Sequence, residues 1–553
     1  MKIIIVGGVA GGASAATRAR RINPGANILI YEKGPAISFA NCGLPYNLGG
    51  EIKDRSKLLV ANADLFKRRF NIDVKTQHEV FHIDRLNREI HVRSNISAEE
   101  FKDSYDRLIL STGSQLISLP EIPYSLDNVF TLWSLDDLDK IKEYISVSSP
   151  KTVSVIGAGF VGLEVVEQLR HKGLSVQLIE LAPQVLGPLD PEMASYIEDE
   201  LVKHEVDIHL SSKVESVKIS NNKATSLCLS SGTILNTDMI IAGVGVRPLS
   251  FLASGAELLT SPNGAVKVNE HYQTSDPNIY AVGDMAEYIF GPTNSPSSIP
   301  LAGPANRAGR IAGEHAASGK SQFAQKVYGT SIVRVFSKTG GVSGLSEKLC
   351  KRSNIDYRVS YISASHHASY FPGAKELVIK LLYAPVTGKL LGVQVVGEEG
   401  VDKRIDVVST VLSFGGTVYN LASLDLAYAP PFGSAKDPLH QAAFVALNDL
   451  SKTPELAKPD IDLSSVQCVD VRTDKERQEL PLKEGIHIPI DESVPFYENP
   501  LFANLDPNLE TVVTCHSGKR AHIVASYLVG KGFKDVKNLS GGMMIRSRMI
   551  DHF

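Results

Sequence analysis

Two glycine-rich turns, each set between an apolar stretch and a helix-favouring one, constrain this 553-residue chain more than anything else in it. The first is Gly7-Gly8-Val9-Ala10-Gly11-Gly12, after the apolar residues 2–6 and before the small residues 13–21. A further apolar stretch, 28–31, then ends at Glu32. The second turn is Gly157-Ala158-Gly159-Phe160-Val161-Gly162, between the apolar residues 153–156 and the helical pattern of 163–170, and the next strand ends at Glu180. Each is the opening of a βαβ unit on a parallel sheet. The first glycine makes the tight turn, the second lets a pyrophosphate approach the backbone, and the third lets helix and strand pack closely. Phosphate then sits on the positive end of the helix. A carboxylate at the end of the second strand can hold a ribose 2′-hydroxyl and repels a 2′-phosphate, so Glu180 favours NADH over NADPH. The second copy has every part of the pattern. The first has Val9 at the middle position but keeps Gly7, Gly12 and Glu32.

Two dinucleotide sites in one chain suggest a flavin nucleotide and a nicotinamide nucleotide, side by side for hydride transfer. Strand-to-glycine segments at 108–113 and 239–245 suggest that the first domain is interrupted by the second and resumes near 278. From about 326 to 448, strand-like stretches precede helical ones. Residues 452–459 hold two prolines and two lysines without apolar periodicity and read as a linker. The remainder reads as a small α/β unit. A net charge of −4 gives no reason to expect nucleic acid. No apolar run reaches the ~20 residues that span a bilayer, so no membrane role is expected and a cytoplasmic location is the default.

The five cysteines are odd in number, scattered and without a Cys-x-x-Cys pair, which argues against a disulfide framework and a zinc site. No metal is expected, and the fifteen histidines, the adjacent His366 and His367 included, show no ligand spacing. Cys228, Cys350 and Cys468 read as structural. Cys42 lies in Ser38-Phe39-Ala40-Asn41-Cys42-Gly43-Leu44-Pro45-Tyr46-Asn47. A redox pair of the Cys-x4-Cys type would need its second cysteine at position 47, where this chain has Asn47. A lone cysteine holds either a mixed disulfide with a substrate thiol or an oxidised sulfur. The helix expected after Cys42 would lower its pKa through its N-terminal dipole.

The segment Thr274-Ser275-Asp276-Pro277-Asn278-Ile279-Tyr280-Ala281-Val282-Gly283-Asp284 resembles the second FAD fingerprint of the pyridine nucleotide-disulfide oxidoreductase family, and Gly243-Val244-Gly245-Val246-Arg247-Pro248 resembles another family segment. This resemblance covers nearly all of residues 1–450. It implies FAD in the first site, with Asp284 on its ribitol and pyrophosphate region, and NADH in the second. The Cys42 segment closely resembles that of the coenzyme A-disulfide reductase family. Peroxide- and oxygen-reducing relatives carry a catalytic His where this chain has Ala10, which favours sulfur substrates. His367-Ala368-Ser369-Tyr370-Phe371-Pro372-Gly373 and Ala427-Tyr428-Ala429-Pro430-Pro431 resemble that family's C-terminal domain. There two tyrosines of the partner subunit reach the cysteine, which implies a homodimer with Tyr370 and Tyr428 as proton or hydrogen-bond donors to a leaving thiolate. Ser38 and Asn41 are implied at the substrate. Arg18 and Arg21, and Lys67, Arg68 and Arg69, could bind the phosphates of coenzyme A or be plain solvated charge.

Cys515-His516-Ser517-Gly518-Lys519-Arg520 follows an apolar strand and precedes a helix. Backbone N–H groups of such a loop converge on the sulfur, and Lys519 and Arg520 add positive charge. The loop resembles the rhodanese Cys-x4-Arg turn. Phosphatases need one residue more, so the length favours sulfur. Val469-Asp470-Val471-Arg472 and Val536-Lys537-Asn538-Leu539-Ser540-Gly541-Gly542 resemble further rhodanese segments, while residues 479–489 depart from the usual pattern. An inactive binding module stays open.

The expected class is α/β: two Rossmann-like dinucleotide-binding domains, an α+β dimerisation domain and a small α/β rhodanese-like domain. The boundaries would be 1–112 with 278–325 for FAD, 113–277 for NADH, 326–450 for dimerisation, 451–460 for the linker and 461–553 for the rhodanese-like domain. The expected activity is NADH-dependent reduction of persulfides, polysulfides or coenzyme A disulfide at Cys42, with sulfur relayed from Cys515, and Arg520 binding the donor. The alternatives are a coenzyme A-disulfide reductase with an accessory rhodanese domain, and a flavin redox sensor.

Overall fold

The computed structural model describes residues 1–490 and 495–550. It divides into two compact units, Met1–Pro183 with His204–Gly329, and Gln184–Lys203 with Thr330–Phe553.

The first unit is built on two parallel five-stranded sheets. One has the order Ile279–Ala281, Arg107–Leu110, Lys2–Val6, Asn27–Tyr31, Asp73–Lys75. Its central strand carries Ile3, Ile4 and Ile5, all fully buried, because a parallel sheet is covered on both faces. The helices Ala10–Ile22 and Ala302–Ser318 pack so closely that a Cβ at Gly309 would stand 2.1 Å from the Gly11 carbonyl oxygen. Only glycine permits that approach. The other sheet runs Asp207–His209, Ser175–Ile179, Thr152–Ile156, Met239–Ala242, Val129–Phe130. In both sheets the glycine turn follows a central strand, where an α/β sheet opens to a ligand.

The second unit holds an antiparallel sheet, Ser331–Val335, Lys338–Gly344, Leu390–Gly397, Glu376–Tyr383, Arg358–Ser365. Every residue of Leu390–Gly397 is buried. The helix Pro191–Lys203 stands in sequence between two strands of the second parallel sheet, yet it belongs to this unit. Fully buried Lys380 holds it there. Its Nζ lies 2.7 Å from Asp190, 2.5 Å from Glu192 and 2.7 Å from Glu347. Gln394 donates to Asp190 and Tyr361 to Glu192, so the cage is closed by further hydrogen bonds, as a buried charge requires.

The C-terminal sheet is all parallel, in the order Glu455–Ala457, Val536–Leu539, Thr511–Thr514, Gln467–Asp470, Ile486–His487. Residues 455–457, read from sequence as linker, are its edge strand. A three-residue strand has too short a pattern to show periodicity, and its pairing partner lies about eighty residues on. Arg358 holds it in place, paired with Asp449 and Glu455. The last helix, Gly542–Ile550, sets the Arg548 guanidinium 3.6 Å over the Tyr196 ring and 2.7 Å from Asp199. Among the described residues no helix is long and apolar enough to cross a membrane.

Candidate active sites

The two glycine turns fold alike. Gly7 and Gly157 have φ of +97° and +104°, and a Cβ on Gly12 or Gly162 would stand 1.9 Å from the carbonyl oxygen of Gly7 or Gly157. The carboxylates also act alike. Glu32 accepts from the backbone N–H of Gly8 and Gly34, each at 2.8 Å, and Glu180 from those of Ala158 at 2.7 Å and Ala182 at 2.8 Å. Each carboxylate oxygen keeps a second lone pair for a ribose hydroxyl. The helices after the turns start at Val9 and Gly159 without a side-chain cap, so their first amides face outward for a phosphate. Around Gly159 the space is open, and an apolar pocket lined by Leu116, Leu132, Trp133, Val161, Val165 and Val246 lies nearby. The uncapped amides of both turns fit a pyrophosphate, and the second turn also has the room for it. Asp284 accepts from Ser114 Oγ at 2.8 Å, and burial pushes its carboxyl up against that bond.

Cys42 is solvent-accessible, in the 3-10 turn Asn41–Gly43 ahead of the helix Leu44–Gly49. Asn41 opens the turn, its carbonyl accepting from Leu44 N–H. Ser38, at φ +49°, donates its N–H to the Gly8 carbonyl at 2.9 Å, which pins the cysteine segment to the first glycine turn. The expected lowering of the Cys42 pKa is overturned. Protein packed around the thiol raises it, the Glu164 carboxylate adds to this, and Asp284 contributes less; a backbone hydrogen bond opposes them. Asn47 is 2% exposed, donates to Ile52 O at 2.7 Å and accepts from Lys142 Nζ at 3.1 Å. A bonded structural amide therefore stands where a second redox cysteine would be.

Glu164 was not singled out from the sequence. It is the fifth residue of the helix Phe160–His171 and accepts from the Tyr46 hydroxyl at 3.0 Å, tying the nucleotide helix to the cysteine helix. Its nearness to Cys42 spans 122 residues, so no local pattern announces it.

The basic clusters are largely paired. Arg18 bonds Glu314 at 2.6 Å, Lys67 bonds Asp73 at 2.7 Å, and Arg68 pairs with Asp64. Arg21 and Arg69 both stand over the Phe70 ring, at 5.7 and 5.9 Å, so the two clusters meet there. In the second unit Tyr370 and Tyr428, both exposed, are hydrogen-bonded to each other. Cys228 is half-buried in a strand, while burial pushes the Cys350 and Cys468 thiols up to about 12, so these two are inert.

Cys515 is 1% exposed, and its Sγ accepts from the N–H of Gly518 at 3.2 Å and of Ala521 at 3.4 Å. The loop is braced from below: Met543 and Met544 N–H donate to the carbonyls of Cys515 and His516, both at 2.9 Å. Asp470 and Arg472 form a fully buried pair, and Arg472 also donates to Leu480 O at 2.7 Å, so their role is structural. Arg520 bonds Glu476 at 2.5 Å, a partner the sequence reading missed.

A family model for pyridine nucleotide-disulphide oxidoreductases matches residues 1–309, one for the dimerisation domain of that family matches 331–439, and one for the rhodanese-like domain matches 453–544. Coenzyme A disulfide reductase of Staphylococcus aureus (strain JH9) is 37% identical over 445 residues, 80% of this chain and 99% of its own. The crystal structure of reduced CoADR-RHD from Bacillus anthracis is similar with a TM-score of 0.94 and 39% identity, over 100% of this chain and 98% of that one. A NAD-dependent persulfide reductase from A. fulgidus is similar with a TM-score of 0.90 and 33% identity, over 99% of this chain and 100% of its own. The expected α/β class, with its dimerisation and rhodanese-like domains, stands. The chain belongs to the pyridine nucleotide-disulphide oxidoreductase family and carries a rhodanese-like domain at its C-terminus.

Proposed function

We propose that this protein is an FAD- and NADH-dependent reductase of sulfur–sulfur bonds, acting on persulfides, polysulfides and coenzyme A disulfide through Cys42, with sulfane sulfur received at Cys515. The observation that carries this reading is the bonded, buried Asn47 beside an accessible Cys42: the site has one working thiol and must hold the other sulfur from substrate. The similar proteins include a coenzyme A disulfide reductase and a persulfide reductase, which supports both substrate classes.

Glu32 and Asp284, with the turn from Gly7 to Gly12, would hold FAD; Glu180, with Gly157, Gly159 and Gly162, would hold NADH. When bound, FAD supplies the passage of an electron pair from nicotinamide to sulfur. The Cys42 thiolate attacks one sulfur of a disulfide, releasing a thiolate and keeping the other half as a mixed disulfide. The electron pair then cleaves that bond. Tyr370 and Tyr428 of a second copy would give a hydrogen bond to the departing thiolate, which makes the working enzyme a homodimer. Ser38 and Asn41 position the cysteine segment, and the arginines around Phe70 offer charge to coenzyme A phosphates. At Cys515 the Gly518 and Ala521 amides stabilise a thiolate or persulfide.

The test is anaerobic NADH oxidation by the FAD-loaded protein with coenzyme A persulfide, polysulfide and coenzyme A disulfide, in wild type, Cys42→Ser and Cys515→Ser. Persulfide turnover lost in both variants supports the relay. Disulfide turnover untouched by Cys515→Ser, with persulfide poorly used, assigns a disulfide reductase with a separate rhodanese module. Turnover that survives Cys42→Ser overturns the reading.

A further inference from the structure

Glu476 has two jobs for its two oxygens. It is the third helical residue of Asp474–Glu479 and closes a capping box with Thr473: its Oε2 accepts from Thr473 N–H at 2.9 Å and Thr473 Oγ1 at 3.1 Å. Its Oε1 meets Arg520 at 2.5 Å. The cap fixes the carboxylate, so the ion pair costs little further ordering. The strength of the pair shows in both partners. Arg520 draws the Glu476 carboxyl down to about 2, and Glu476 first, then the Cys515 sulfur, hold the Arg520 guanidinium above its usual value.

The other cations around the loop are accounted for. Arg472 is buried against Asp470, and Arg477 lies 3.8 Å from the same carboxylate. Lys519 is exposed, where water screens it. Arg520 is therefore the one half-buried cation of the loop among the described residues, and a fixed carboxylate neutralises it. A sulfur donor that carries two negative charges on its reacting group needs uncompensated positive charge there; an organic persulfide, with a single ionisable proton on its terminal sulfur, needs less.

We propose that Glu476 sets the donor selectivity of Cys515: by engaging Arg520 it disfavours dianionic donors such as thiosulfate and leaves the loop matched to organic persulfides. This rests on the reading of Cys515 as a sulfur acceptor. With a persulfide, the Cys515 thiolate attacks the terminal sulfur of R–S–SH; the donor S–S bond breaks, R–S⁻ leaves with its electron pair, and Cys515–S–SH forms. With thiosulfate, the same attack on the outer sulfur expels sulfite dianion and leaves Cys515–S–S⁻.

The experiment follows the rate of sulfur addition at Cys515 in the full-length, FAD-loaded protein, by mass spectrometry of the Cys515 peptide, with thiosulfate and with glutathione persulfide. Glu476→Gln keeps the cap, since Gln serves at that position, but removes the charge. The expected result is a rise of about tenfold in thiosulfate loading with persulfide loading held within about threefold, the range of one charge-assisted hydrogen bond. Glu476→Asp, which keeps a cap as Asp137 does with Ser134 but draws back from Arg520, shifts the ratio the same way and serves if the Gln variant does not fold. An unchanged or reversed ratio in a variant that loads sulfur overturns the role of Glu476 and leaves the acceptor reading intact. Loading by neither donor in the wild type overturns the acceptor reading itself.

Discussion

The hydroxyls of Tyr370 and Tyr428 lie 2.9 Å apart, two exposed phenols bonded to each other across 58 residues of sequence. The bond to Tyr428 raises the Tyr370 pKa, so one proton is shared while the second hydroxyl stays free to donate outward. On the proposed mechanism that donor meets the leaving thiolate. Tyr370→Phe and Tyr428→Phe are each expected to lower kcat for coenzyme A disulfide by about tenfold, and the pair by about 100-fold, the lower range for a positioned acid. Steady-state rates check this, with NADH reduction of the flavin, measured alone, unchanged.

Glu180 takes its N–H bonds from Ala158 and Ala182 and presents its remaining lone pairs where an adenosine ribose would lie. Glu180→Ala is expected to raise KM for NADH by about tenfold or more while kcat changes little, and to narrow the preference over NADPH. Steady-state kinetics with both nucleotides check it.

Glu164 raises the Cys42 thiol after burial has done so. Removing a negative charge beside an acid favours its anion, so Glu164→Gln is expected to shift Cys42 alkylation to lower pH in the NADH-reduced protein. A pH series of iodoacetamide labelling at the Cys42 peptide checks the direction. Cys515→Ser serves as the background for this series and keeps its signal clean.

Lys380 sits among three carboxylates with none of its surface exposed. Lys380→Met leaves those charges unpaired and is expected to destabilise the second unit by about 3–5 kcal/mol in urea unfolding. The pH dependence has a definite sign. Burial alone would raise the Asp190 and Glu347 carboxyls, and Lys380 more than offsets it, so both are depressed. Their stabilisation is present above the unfolded carboxylate values of about 4 and is lost as pH falls through the lower folded values. Lys380 itself is raised, so its share is present below about 10.4 and lost only as pH rises through its folded value. Urea midpoints at pH 3 and pH 7, compared between wild type and variant, check the carboxylate statement, and a wild-type midpoint above about pH 10.4 checks that of Lys380.

The glycine turns and their acids were legible because each lies within about thirty residues and has a fixed stereochemical reason: Gly7 and Gly157 need positive φ, and Gly12 and Gly162 must admit a carbonyl oxygen. Cys42 was legible by the amide at Asn47, and Cys515 by its loop length. What stayed hidden was contact at long range. Glu164 beside Cys42, Glu476 on Arg520, and helix Pro191–Lys203 held by Lys380 each join residues from different elements, and no periodicity records such a meeting. Arg18 looked like free charge because its partner Glu314 lies 296 residues away, whereas Arg68 with Asp64 is an i,i+4 helical pair that the sequence does display. The expected lowering of the Cys42 pKa left out burial and a carboxylate 122 residues away, both of which raise it.

The most direct test of the central claim is the intact mass of the FAD-loaded protein after oxidation by coenzyme A disulfide, before and after one equivalent of NADH. One coenzyme A is expected per subunit on Cys42, absent from Cys42→Ser, retained by Asn47→Ser, and released by that single equivalent. An adduct-free oxidised protein that still turns over the disulfide, or an adduct on another cysteine that NADH discharges, would contradict it.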